Sequence, residues 1–355
     1  MPGRGGLPGA DSGCDTPAAF ALNKPHGSGS VRRSAKANPP FMRHNRFPPL
    51  LALALAVVAF GTVAVSSHAA SAAAKKQIVF VHGPASHGYG GHAYGPAFRM
   101  LARILNENAP AVTAVVVQDN ADLSVLDTAD AIVLGSDGGG LVKTLGNRLE
   151  PLMAKGVGLA CIHYTVDPTD PKAIQRLIAW MGGAYEQHWS VNPFWEAEFK
   201  TFPDHPVARG LKPFKANDEW YYHMRFVPDM KGVTSILSAV PPESTRQGPD
   251  GPHSGNAQVR ARQGMPEVVA WVYERPGGGR GFGFTGMHTH WTWAQDSFRK
   301  SVLNALVWIA GAEVPADGVP SKTPTLEELE SDLGGPRPPD FNPDATRKLI
   351  EAMNP

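Results

Sequence analysis

Thirteen histidines occur in this 355-residue chain, and they gather in a few segments. GPASHGYGGHAYG, residues 83–95, places His87 and His92 beside Tyr89 in a stretch with little bulk. GLACIHYTVDPTD carries His163, YEQHWSVNPFW carries His188 and Trp189, and NDEWYYHMRF carries Glu219, Trp220 and Tyr221. GMHTHWTW adds His288, His290 and Trp291. Imidazole titrates near neutral pH and is the commonest metal ligand. Histidines from separate segments with one carboxylate could build a zinc, manganese or iron site. They could equally serve as acid–base groups in a proton transfer. Taken singly, each is explained as a hydrogen-bonded loop histidine; taken together, they form a set of convergent titratable groups. No HExxH and no CxxC pair occurs, so spacing alone does not specify a metal.

Other residue types are less telling. Asp137 precedes Gly138-Gly139-Gly140, which could cradle an anion at a helix start but reads first as a tight turn. Trp189, Trp195, Trp220, Tyr221, Tyr222, Trp291 and Trp293 sit in loop-like sequence, where aromatic faces with polar edges suit a sugar ring. Trp271 and Trp308 fall at strand and helix spacing and read as core. Cys161 lies within the apolar run GLACI, where a thiol is inert. No GxSxG elbow points to serine chemistry.

The elements that must position these groups alternate. KQIVFVHG (76–83), AVTAVVVQ (111–118), ADAIVLG (129–135) and VGLACIHYT (157–165) read as buried strands. Helical spacing fills 98–109, 146–156 and 170–181 between them. That alternation predicts a parallel α/β sheet with helices on both faces, whose ligands sit beyond the carboxyl ends of the strands. His82, His87, His92, Asp137 and His163 all fall there. Residues 184–265 read as irregular strands and long aromatic-rich loops, followed by a hairpin-like pair over 266–275 and 280–287 and a last helix before Gly311. Residues 313–355 read as a Pro-rich tail with one short helix near Leu326 to Leu333.

Lys and Arg number 33 against 32 Asp and Glu, a net charge of +1, and no basic stripe suited to nucleic acid is present. Residues 1–41 are rich in Gly, Pro, Ser and Ala and read as a disordered or mis-annotated extension. Residues 42–70 read as a signal peptide: Arg43 and Arg46, an apolar run from Leu50 to Val65, then small residues. That run would rise about 24 Å as a helix, short of a roughly 30 Å hydrocarbon core. Export to the periplasm or medium, with no stable membrane span after cleavage, is the expectation. Of the two cysteines, Cys14 precedes the signal, so Cys161 would remain alone and no internal disulfide can form.

Motif order and content over residues 76–312 resemble the ThuA-like (trehalose utilisation) family, carried by the first histidine loop, GLACIHYTVDPTD, GGAYEQHWSVNPFW, DHPVARGLKPF, NDEWYYHMRF and GRGFGFTGMHTHWTWAQDSF. The resemblance implies a flavodoxin-like fold similar to class I glutamine amidotransferases. His163 then stands near the place of their nucleophile, which argues against amidotransferase chemistry. It also implies a small-molecule carbohydrate as partner, namely an oxidised (3-keto) glycoside or disaccharide. The expected mechanism has His163 or Glu219 taking a proton beside a carbonyl. A divalent metal on His87, His92 and His288 would aid it. Tyr89, Asp137, His188, Trp189, Trp220, Tyr221, His290 and Trp291 would contact the sugar. Some members carry glutamates in the first loop where Gly91 and Ala93 stand here. A non-catalytic exported sugar-binding protein is therefore the rival expectation.

Overall fold

A computed structural model describes residues 74–334 and 336–355. The expected extension and signal peptide, with Cys14, lie outside the described residues. Strand β1 (Lys76–His82) leads to helix α1 (Tyr94–Asn108), β2 (Val112–Gln118) and β3 (Ala131–Gly135). Helix α2 (Gly140–Ala154), β4 (Gly158–Ile162) and α3 (Pro171–Met181) follow. Next come a short strand β5 (Gly183–Ala184), a ribbon of β6 (Phe194–Phe199) and β7 (Phe214–Glu219), and β8 (Arg225–Phe226). Strand β9 (Val233–Ala239), a single turn α4 (Ala257–Arg260), β10 (Glu267–Glu274), β11 (Arg280–Phe284) and α5 (Asp296–Ile309) complete the body. Helices α6 (Leu326–Glu330) and α7 (Pro343–Ala352) close the chain.

The main sheet has seven strands in the order β2-β1-β3-β4-β11-β10-β9. β2, β1, β3, β4 and β11 pair in parallel, and β10 runs antiparallel to both neighbours. The sheet is thus parallel-dominant rather than wholly parallel, because the 276–279 turn reverses the chain into an antiparallel pair. Its strands read as continuous apolar runs because both faces are covered. Along β1, Ile78 and Phe80 join the core under α1 and α5, while Val79 and Val81 join the core under α2 and α3. Local signals set the helix ends. At α3, Asp170 accepts the Ala173 N–H as N-cap, Pro171 occupies the first turn, and Gly182 ends the helix with φ 73°.

The order β2-β1-β3 makes a topological switch point between β1 and β3, where the chain departs in opposite directions. The first histidine loop leaves β1 and the Asp137 turn leaves β3, so both flank that crevice. α1 and α2 start earlier than their apolar spacing suggests, at Tyr94 and Gly140, since both helices begin inside the loops that carry the chemistry. Residues 313–355 differ from the expected tail. Two helices form, a capping box at Thr325 and Glu328 starts α6, and Leu326, Leu329 and Ile350 are buried against the body. Among the described residues no helix is long and apolar enough to cross a membrane.

Candidate functional site

Four strand exits and the end of the ribbon meet at one point. His92 comes from the loop after β1, Asp137 from the turn after β3, His163 from the end of β4, His288 from the segment after β11, and Glu219 from the end of β7. His92 Nε2 lies 3.0 Å from His163 Nε2 and 3.0 Å from His288 Nδ1. Glu219 Oε2 lies 2.9 Å from His288 Nδ1 and 3.4 Å from His163 Nε2. One donor atom from each of His92, His163, Glu219 and His288 falls within 4.8 Å of the other three.

The far sides of two imidazoles are tied off. His92 Nδ1 lies 2.7 Å from Asp137 Oδ1, and His163 Nδ1 lies 2.8 Å from the Thr285 carbonyl. A carboxylate and a carbonyl only accept, so each Nδ1 donates and each Nε2 keeps a lone pair. In their neutral forms the two rings then turn lone pairs toward one another beside a carboxylate. Such a donor set matches a cation, and the Nδ1 bonds are of the kind that orient metal-ligating histidines.

Backbone strain accompanies this convergence. His92 (φ 42°), His163 (φ 54°) and Met287 (φ 96°) occupy the left-handed region without being glycine. Each such residue costs on the order of 1–3 kcal/mol and persists where the surroundings over-determine it. Asp218 supplies part of that constraint. Its buried carboxylate accepts the backbone N–H groups of Met287, His288 and Thr289 and so fixes the His288 segment. Burial pushes its pKa up, against the pull of His163 and these N–H groups. The glycines after Asp137 form a tight turn: Gly139 has φ 63°, and a Cβ there would meet Pro168 at 2.6 Å.

Electrostatics divide the site. Burial drives His92 down to about 4, despite the hydrogen bond to Asp137. Burial pushes Glu219 up, but the His163 and His288 rings beside it prevail and hold it at about 2. Asp137 likewise stays below its usual range, because His92, Ser86 and His87 outweigh burial. Burial pushes the Cys161 thiol well up, which agrees with an inert thiol.

The roles expected of individual residues shift. His87 stands outside the four-donor set; its ring stacks on His92 at 3.6 Å, its Nδ1 lies 3.8 Å from Asp137 Oδ2, and its side chain is 41% exposed. His163, expected to take a proton, is fully buried with both nitrogens engaged. Tyr221 joins the site, its hydroxyl 3.3 Å from Glu219 Oε2. Tyr89 instead donates to Glu330 at 2.6 Å and packs with Trp291 and Phe341. Trp291 supports the histidine loop from below, since a Cβ on Gly90 would meet its ring at 2.8 Å. A cavity of about 420 Å³ runs along the outer side of this loop, past His87 and Tyr89.

Four expected sugar contacts sit elsewhere. Trp220 is fully buried, packs edge-on against Phe199, Phe284 and Phe298, and donates to the Ala216 carbonyl. His290 is buried, with Nε2 against the Leu329 carbonyl, because the C-terminal segment covers it. Trp189 stacks on His223, with the Arg225 guanidinium 3.6 Å from its ring centre. His188 is exposed in the same turn.

Phe194 went unmarked in the sequence. Ribbon register pairs it with Glu219, and pairs Trp195 with the buried Asp218. Alternation therefore turns Trp195 inward and Phe194 outward, 52% exposed and edge-on to His288 at 4.8 Å. The period-2 pattern of FWEAEF was the available signal.

A family model described as ThuA, trehalose utilisation, matches residues 78–309. Among solved structures, a ThuA-like protein from Bacteroides uniformis is 16% identical, with a TM-score of 0.47 over 66% of this chain and 91% of its own. A ThuA-like protein from Parabacteroides merdae is 17% identical, with a TM-score of 0.47 over 68% of this chain and 92% of its own. A GMP synthase subunit from Thermoplasma acidophilum is 15% identical, with a TM-score of 0.37 over 67% of this chain and 95% of its own. No curated protein matches the chain.

Proposed function

The chain belongs to the ThuA family, described by trehalose utilisation, and from that premise we propose that it is an exported enzyme that cleaves or isomerises an oxidised (3-keto) glycoside by metal-assisted proton abstraction. The family description points it to sugar utilisation. The reaction, the metal and the export are our reading. One observation carries it: the lone pairs of His92 and His163 converge with Glu219 and His288 after their other ring nitrogens are tied to Asp137 and Thr285.

His92, His163, His288 and Glu219 would hold a divalent cation, with zinc, manganese and iron all compatible with this nitrogen-rich set. When bound, the cation supplies a Lewis acid that polarises a ketone oxygen. His87 is the exposed imidazole beside it and is backed by Asp137, so it takes the proton from the carbon between the ketone and the anomeric carbon. The electron pair left behind expels the anomeric oxygen. Phe194 offers its ring to the apolar C–H face of the sugar.

Elemental analysis of the purified protein tests the cation, and a 3-keto glucoside tests the chemistry. We expect near-stoichiometric divalent metal. His87→Gln should keep the metal while losing about 10²-fold or more in kcat. A protein that refuses metal on refilling overturns the cation. Full turnover by His87→Gln overturns the base.

A further inference from the structure

We infer that His253 is a second acid–base group of this site and that Asp167 is the carboxylate that positions it and exchanges a proton with it. Nothing in the mechanism above uses either residue. Asp167 follows the His163 turn and is fully buried, yet neither carboxylate oxygen has a hydrogen-bond partner. An unpaired buried carboxylate is costly and calls for a function. The nearest counterpart is His253, whose Nδ1 lies 3.3 Å from Asp167 Oδ2 and is itself buried and unpaired. The His253 side chain is 32% exposed, so its outer edge reaches solvent while its inner nitrogen faces the acid. A buried carboxylate behind a half-exposed imidazole is the arrangement that fixes a tautomer and moves a proton.

The pair is built into the site. The His188 N–H donates to the Pro252 carbonyl, the Tyr185 hydroxyl, which donates to the Ser190 carbonyl at 2.8 Å, lies 3.3 Å from the same Pro252 oxygen, and the Asn192 N–H donates to the His253 carbonyl. These bonds pin the His253 backbone to the segment that follows α3. Asn192 also donates to Glu219 Oε1 at 3.3 Å, so one residue bridges His253 and the four-donor set. Tyr185 packs 5.4 Å from the His253 ring and 5.6 Å from Tyr221. Burial first, and then the Glu219 charge, push Asp167 up to about 7. Burial lowers His253 against the pull of Glu219, with His188 adding to the fall. The acid form of the pair has one proton on Asp167 and another on His253 Nε2, whose neighbour is the Gln187 amide at 3.5 Å.

This role rests on the elimination reading above. Abstraction by His87 breaks a C–H bond, and the electron pair expels the anomeric oxygen. That oxygen needs a proton. His253 gives its Nε2 proton and takes the Asp167 proton on Nδ1, leaving Asp167 ionised until solvent reprotonates the pair. Products are an unsaturated keto sugar and a neutral alcohol. The groups facing the pair are Glu219, His188, Tyr164, Tyr185 and Tyr221.

The metal-loaded protein and its His253→Gln and Asp167→Asn variants are compared on methyl and p-nitrophenyl 3-keto-glucosides. Methanol is a poor leaving group that needs a proton, and nitrophenolate is a good one that does not. His253→Gln should lose about 10²-fold or more on the methyl substrate and under about 10-fold on the nitrophenyl one. Asp167→Asn should follow the same split less steeply. Equal losses on both substrates, or none, overturn the assignment. NMR titration of the His253 imidazole judges the pair without turnover. Asp167→Asn should move its midpoint by about one pH unit or more, and an unmoved midpoint overturns the pair. A wild-type protein inactive on both substrates overturns the elimination reading and the leaving-group role together. The pair then stands or falls on the titration.

Discussion

Two carboxyl groups, Glu219 and Asp167, act on Tyr221, and their surroundings oppose each other. Glu219 is ringed by polar partners: His163, His288, Asn192 and Tyr221 approach its two oxygens, and it is held at about 2. Asp167 has no hydrogen-bond partner and is pushed up to about 7. Depth contributes as well, since Glu219 is 15% exposed and Asp167 fully buried, and Asp218, as buried as Asp167, stays raised even though it collects backbone N–H groups. Burial and partners together hold one acid below its usual range and push the other above it.

The sharpest way to break this contrast is to remove a donor on the Glu219 side. His163→Ala and His288→Ala should each lose most of the bound metal, read by elemental analysis, while circular dichroism shows an intact fold. Retained stoichiometric metal in both would place the cation elsewhere. On the other side, Asp167→Asn should leave the metal untouched and change stability. The native value of Asp167 lies above its unfolded value near 3.8, so the native state keeps a proton that the unfolded chain has released. Its contribution is therefore fully present below about pH 4 and declines as pH rises toward 7. Asparagine should abolish that decline, on the order of 2–4 kcal/mol, in denaturant unfolding compared at the two ends of the window. An unchanged pH slope would mean that Asp167 is already ionised.

A smaller effect sharpens the Glu219 side. Asp137 holds His92 in its tautomer, so Asp137→Asn should weaken metal affinity about 10–100-fold in competition with a chelator. An unaltered affinity would remove Asp137 from the orienting role. Smallest is Phe194→Ala, expected to raise KM by roughly 2- to 12-fold, from the 0.5–1.5 kcal/mol of an aromatic contact, with kcat little changed. A fall in kcat alone would argue against simple stacking.

Much of the scaffold was legible because its strands are buried on both faces and punctuated by glycine. KQIVFVHG and GLACI could hardly be anything else, and their exits delivered His92 and His163 to the site. The C-terminal segment was not legible, because Pro-rich composition hides the few buried residues, Leu326, Leu329 and Ile350, that dock it. Trp220 and His290 looked like ligand contacts since residue type alone does not reveal which face of an irregular segment turns inward. Phe194 was hidden by its neighbour, as a tryptophan draws the eye but the ribbon register chooses the phenylalanine. His253 lies in a Gly/Pro/Ser stretch with no periodicity, so only three-dimensional proximity to Asp167 singles it out.

The clasp between Tyr89 and Glu330, with Phe341 against Tyr89 and the Leu329 carbonyl on His290, joins residues far apart in the chain. A ribosome releases residue 89 long before residue 330. The first histidine loop must therefore wait, unfastened, until the last helices arrive. Synthesis order thus sets assembly order: in a chain cut short before α6 the first histidine loop would lack its latch.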